Sequence, residues 1–346
     1  MNRTGLHISL LLSLSLLLGG CTGTSTRIAQ HDNLHWPPAP ATAKIRFEQA
    51  FSTPQELGIG RGFWQWLGDV VFGAETDHMV RPMAVVTVGE RLIYVADPGV
   101  RGVHRFDTQQ HSYQLIKGKN GLELPSPVAL AVDSENNVYI SDSKLAQLLV
   151  VTKDSDHALP VKLNTDLQQP TGIAIEPSSG DLYLVDTRQH QVLVFKRPNP
   201  LQAELKHRFG QRGGQPGEFN YPTLIWQQQG TLLVTDALNF RVQLFDLKGD
   251  YLSRFGEAGQ ASGYQSRPKG IAMDQAGHIY LVDALFHNVQ LFERDGRFLL
   301  SMGEQGQQPG QFWLPAGIHI SPQQKIYVAD SHNRRVQVFS YLGDNQ

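Results

Sequence analysis

The sequence predicts an all-β protein: a six-bladed β-propeller of four-stranded blades, with an N-terminal strand closing the last blade. Three observations carry that expectation. One phrase recurs six times, a short apolar strand ending at an Asp, a polar loop and a second alternating strand. It is clearest in Val328-Ala329-Asp330-Ser331-His332-Asn333-Arg334-Arg335-Val336-Gln337-Val338-Phe339. The six aspartates are Asp97, Asp142, Asp186, Asp236, Asp283 and Asp330, spaced 44 to 50 residues apart, which is the period of a four-stranded blade. Each copy opens with a proline (Pro82, Pro127, Pro170, Pro222, Pro268, Pro315) lying 14 to 16 residues before its Asp, room for two strands and one hairpin turn. A β-sandwich would not need identical units at a fixed period.

Taken in chain order, residues 1–20 read as an export signal, with Arg3 followed by an apolar run from Ile8 to Leu18 that is too short for a permanent span. The only cysteine follows in Leu18-Gly19-Gly20-Cys21, which resembles the bacterial lipoprotein signal; the resemblance implies diacylation of the Cys21 thiol. An ordinary secretory signal with an incidental cysteine is the plainer alternative. Thr22, where an Asp would suggest inner-membrane retention, favours the outer membrane. Residues 21–43, with Trp36-Pro37-Pro38-Ala39-Pro40, read as a semi-stiff tether. The propeller is expected over 44–346. Lys44 to Phe51 is an unpaired strand candidate, and the sixth copy stops after its third strand at Tyr341-Leu342-Gly343. Pairing the two joins first to last and leaves no open edge. Residues 57–78 depart from the repeat. They hold a short helix-like run, Gly62 to Gly73, expected either to pack over the ring or to offer its two tryptophans as a contact.

Within each copy the first two strands are apolar nearly throughout, as in Gly172-Ile173-Ala174-Ile175 and Leu182-Tyr183-Leu184-Val185, which suits strands packed on both faces. Turn sequences such as Asp274-Gln275-Ala276-Gly277 lie between them. A formal charge of −2 gives no basic surface for nucleic acid, so none is expected as a partner. One cysteine excludes a disulfide framework and a zinc knuckle.

The units resemble NHL repeats, through stretches such as Asn333-Arg334-Arg335-Val336-Gln337-Val338-Phe339 and the connector Phe209-Gly210-Gln211-Arg212-Gly213-Gly214-Gln215-Pro216-Gly217-Glu218-Phe219. The resemblance covers about residues 80–346. It implies the propeller fold but not one activity, because the fold hosts binding proteins, lyases and lactonases alike.

A feature repeated in every blade reads as architecture, so the six aspartates are expected to bind loop amides rather than to form a reactive carboxylate ring. The fourth residue after each Asp varies (Arg101, Ala146, His190, Phe240, His287, Arg334), and variation at equivalent sites is where individual function should sit. The stretch around His190 resembles an element of the peptidyl-hydroxyglycine amidating lyases, which bind zinc through histidines. Those enzymes also carry a histidine directly after the opening proline in other blades. Here those positions are Met83, Val128, Thr171, Thr223, Lys269 and Ala316. Zinc catalysis normally needs three protein ligands, so neither metal nor cofactor is expected, and His190 and His287 read as loop histidines. The Glu-Gly-Pro motif of related lactonases is absent. What remains is a basic, aromatic-rimmed channel mouth: Arg81, Arg267 and Lys269, with Tyr221 and Trp313 near equivalent points. The expected function is an envelope-anchored interaction scaffold whose loop face takes an envelope protein or anionic ligand. The alternative is a metal-dependent lyase or lactonase with its site in the central channel.

Overall fold

Six sheets form the six blades, five built from consecutive strands and the sixth from the first two and last three strands of the chain; pairing is antiparallel except where Lys162–Leu163 runs parallel to Gln202–Phe209. The structure is a computed structural model in which residues 34–38, 40–60 and 77–343 are described. The expected signal peptide, Cys21 and residues 61–76 of the 57–78 insertion lie outside the described residues. The innermost strands are Ala84–Val88, Pro127–Val132, Pro170–Ile175, Pro222–Gln228, Pro268–Met273 and Ile318–Ile320. Each pairs antiparallel with a strand ending at the repeated Asp, and in four blades the opening proline sits directly beside that Asp, as in Pro170↔Asp186 and Pro268↔Asp283. One end of the channel therefore carries the prolines and the post-Asp loops, and the other carries the first hairpin of every blade.

The apolar residues of the inner strands divide into six clusters, one for each seam between neighbouring blades. Both faces of a blade are thus dry, which accounts for the near-absence of polar alternation along Leu182-Tyr183-Leu184-Val185. Close inter-blade approach needs glycine at three seams; a Cβ on Gly172 would lie 2.7 Å from the Leu224 Cα. A Cβ on Gly270 would lie 2.5 Å from the Ala316 carbonyl oxygen, and one on Gly317 would lie 2.5 Å from that of Met83.

The ring closes between blades 6 and 1. Ile45–Phe51 pairs antiparallel with Arg335–Tyr341, in the register Phe47↔Phe339 and Phe51↔Val336. Phe51 then meets Phe106 of blade 1 edge-on at 5.6 Å, inside the last seam. One part of the stretch read as tether belongs to the propeller: His35–Trp36 adds a further strand outside Ile45–Phe51. Trp36 packs edge-on against Phe339 at 5.7 Å, so burial of a large aromatic fixes this end of the segment despite the adjacent prolines.

Candidate functional site

The six aspartates are fully buried and act as hubs of the proline-side loops. Each accepts a backbone N–H from the segment before its opening proline: Val80 and Arg81 to Asp97, Ser126 to Asp142, Gln168 and Gln169 to Asp186, Asn220 to Asp236, Ser266 and Arg267 to Asp283, and Trp313 to Asp330. Asp97, Asp142, Asp186 and Asp283 also accept from amides of the loop that follows them. Asp330 also accepts from Asn333 Nδ2 and Arg335 Nε, both at 2.8 Å, and from Gln337 Nε2 at 3.0 Å. In blade 1 a histidine takes the glutamine's place, and His104 Nε2 lies 3.4 Å from Asp97. Burial pushes the Asp97 carboxyl up, but bonds from His104 and the Val80 and Arg81 amides outweigh it and hold the group below the ordinary range. In Asp330 burial wins and the carboxyl is raised.

Four residues after each Asp the chain takes the left-handed conformation in every blade, with φ between 53° and 57°, although none of these residues is glycine. His190 and His287 occupy two of these positions and use them identically. His190 Nδ1 accepts the Tyr221 N–H at 3.1 Å, and His287 Nδ1 accepts the Leu314 N–H at 3.1 Å. Each ring thereby ties its own loop to the segment opening the next blade. His190 is buried rather than solvated, with Tyr221 edge-on at 4.8 Å.

Arg81 and Arg267 are exposed, and their backbone amides are held by Asp97 and Asp283. Lys269 is half-buried on the inner strand of blade 5, and its pKa is pushed down to about 8, first by burial and then by the Arg267 and Arg81 guanidiniums. Among the described residues, none of the three forms an ion pair. Tyr221 and Trp313 are 42% and 39% exposed on the same loop face, and Trp313 lies 5.8 Å from the His332 ring. Sequence reasoning missed two apolar neighbours, Leu238 and Leu285, each two residues beyond its Asp and about half exposed. Their equivalence across blades 4 and 5 was the available signal.

The other end of the channel differs. A cavity of about 460 Å³ opens among the first hairpins, lined by inner-strand residues of all six blades. Trp226 and His319 line it. Four residues after the opening prolines stand Val86, Ala131, Ala174, Trp226, Ala272 and His319, so these two were visible in the sequence as departures from a small apolar pattern. Among the described residues no three His, Cys, Asp or Glu side chains come together as a metal-ligand set.

The family model for the NHL repeat matches residues 167–195 and 312–339, in blades 3 and 6. Peptidyl-glycine alpha-amidating monooxygenase B of Xenopus laevis is 25% identical over 180 residues, covering 48% of this chain and 19% of that protein. The chain spans about a fifth or less of the length of the curated relatives it matches. Among solved structures, virginiamycin B lyase from Staphylococcus aureus superposes with a TM-score of 0.58 at 12% identity, over 86% of this chain and 100% of that one. An auxiliary nutrient binding protein from Bacteroides thetaiotaomicron superposes with a TM-score of 0.59 at 13% identity, over 77% of this chain and 70% of that one. At these identities the likeness is one of fold. The chain is a six-bladed β-propeller that carries NHL repeats.

Proposed function

We propose that the propeller is an interaction module whose loop face receives an acidic segment of a partner protein, and that it is held at the bacterial outer membrane through a lipid on Cys21. The observation that carries the first part is the mouth itself: both guanidiniums disfavour the charge on Lys269, and none of the three cations has a carboxylate partner among the described residues. A lysine whose charge is disfavoured by burial and neighbouring cations is relieved by an incoming anion. The exposed Tyr221, Trp313, Leu238 and Leu285 around them supply aromatic and aliphatic contact area of the kind protein interfaces use. The lipid anchor rests on Cys21 being the only cysteine and following Gly19-Gly20. Loss of fatty-acid labelling in Cys21→Ser tests it.

Binding of a fluorescein-labelled oligo-glutamate peptide, followed by polarisation, tests the mouth. The peptide should bind wild type in a salt-sensitive way and bind an Arg81→Ala/Arg267→Ala variant at least tenfold more weakly; equal binding by the two would refute the assignment. A second reading, a metal-dependent lyase or lactonase in the channel, draws on the fold shared with virginiamycin B lyase. Metal analysis separates the two. One tightly held zinc or calcium per chain, lost together with turnover on chelation, would overturn the interaction reading.

A further inference from the structure

The hairpin end of the channel holds two unanswered hydrogen-bond donors. His319 Nε2 lies 3.3 Å from the Thr87 backbone nitrogen, whose hydrogen it must accept, and 3.1 Å from the Thr87 hydroxyl. A backbone N–H can only donate, so Nε2 presents its lone pair and the neutral ring carries its hydrogen on Nδ1. Burial keeps the ring neutral, since its pKa is pushed down to about 4. Nδ1 is buried without a partner, and so is Nε1 of Trp226, which is a donor by its chemistry. The two rings meet edge-on at 5.8 Å. Both rings line one cavity, and their N–H groups, covered in the free protein, have no protein acceptor, where buried polar groups are ordinarily satisfied.

We propose that this cavity binds a small, neutral, largely apolar molecule through a carbonyl-type oxygen that accepts from Trp226 and His319. Its volume of about 460 Å³ falls in the usual range for small-molecule sites. The body of such a ligand would lie against Ala131, Ala174, Leu224 and Met273. The cavity lining includes no Lys or Arg, which argues against a carboxylate or phosphate. Its one acidic side chain, Asp133, is already committed to Arg197 at 2.9 Å and to Asn137. The site lies at the opposite end of the channel from Arg81, Arg267 and Lys269, and the inference does not rest on the function proposed for that mouth.

Prodan, a neutral naphthalene ketone, is the probe. Its emission shifts to the blue on burial and responds to hydrogen bonding at the ketone. Added to the purified full-length chain, it should bind one to one with blue-shifted emission and quench Trp226 by energy transfer. Trp226→Phe and His319→Phe keep a ring and remove a donor, and each should weaken binding about three- to tenfold, the scale of one hydrogen bond. Ala131→Phe and Ala174→Phe fill the cavity from two different blades, and each should abolish binding while the far-UV circular dichroism stays that of a folded β protein. The Arg81→Ala/Arg267→Ala variant should bind Prodan as wild type does. Undiminished binding by both filled variants, undiminished binding by both donor variants, or no saturable binding to wild type would each overturn the proposal.

Discussion

Lys269→Met should make the protein more stable at neutral pH, an unusual direction for a surface-mouth substitution. The native lysine titrates near 8 against an ordinary value of 10.5, so the native state binds its proton less tightly than the unfolded chain does. At ~1.4 kcal/mol per tenfold in affinity, the drop from 10.5 to about 8 sets a ceiling of roughly 3 kcal/mol. Partial solvation of the ammonium group lowers the expected gain to about 1–2 kcal/mol. The sign follows from proton linkage. Between pH 8 and 10.5 the unfolded state holds more protons than the native state, so wild-type stability rises with pH across that window from this group. Below pH 8 the whole penalty is present; above 10.5 it is gone. Urea denaturation at pH 7.0, 8.5 and 10 measures it. The methionine variant should exceed wild type at pH 7, and the gap should narrow as pH rises. A variant less stable than wild type at pH 7, or a gap that does not change with pH, would show that Lys269 carries no such penalty.

Asp330→Asn should destabilise the fold by about 3–5 kcal/mol in urea titrations, because Arg335 loses its buried counter-charge and the new amide faces the Asn333 and Gln337 donors. Gly317→Ala should cost about 1–3 kcal/mol, since its Cβ would lie 2.5 Å from the Met83 carbonyl oxygen across the closing seam. His319 gives an acid limb. Its pKa is lowered from 6.5 to about 4, so stability should fall as pH drops through that interval, by at most ~3 kcal/mol, and His319→Phe should flatten this part of a stability-against-pH curve.

The repeated positions could be read from the sequence because one physical demand recurs in each blade. An Asp at the end of an apolar strand, 14 to 16 residues after a proline, has the loop amides as partners, and the register Pro170↔Asp186 realises that pairing. The closing strand was legible for a similar reason, since alternation through Ile45 and Phe47 matches the outer strand lacking from the sixth copy. His35–Trp36 was not, because two residues between polar and proline-rich flanks carry no periodicity; only the packing of Trp36 on Phe339 places them. Lys269 could be assigned to the mouth by its place after Pro268, but its half-burial and coupling to Arg81 depend on the closed ring, which leaves only blade 6 between blades 5 and 1. The histidines divide in the same way. His190 and His287 drew attention as candidate contacts, yet their Nδ1 atoms serve the seams between blades. His319 lines the cavity with Trp226, and each stands four residues after the opening proline of its blade, where the other four blades carry Val or Ala.

Titration of the Lys269 side-chain nitrogen by NMR reports whether the mouth is built to receive an anion. The resonance is identified by its loss in Lys269→Met, and is followed with and without the oligo-glutamate peptide. The midpoint should lie near 8 in the free protein and move up toward 10.5 when the peptide is bound. A midpoint near 10.5 in the free protein, or one that saturating peptide leaves unmoved, would contradict it.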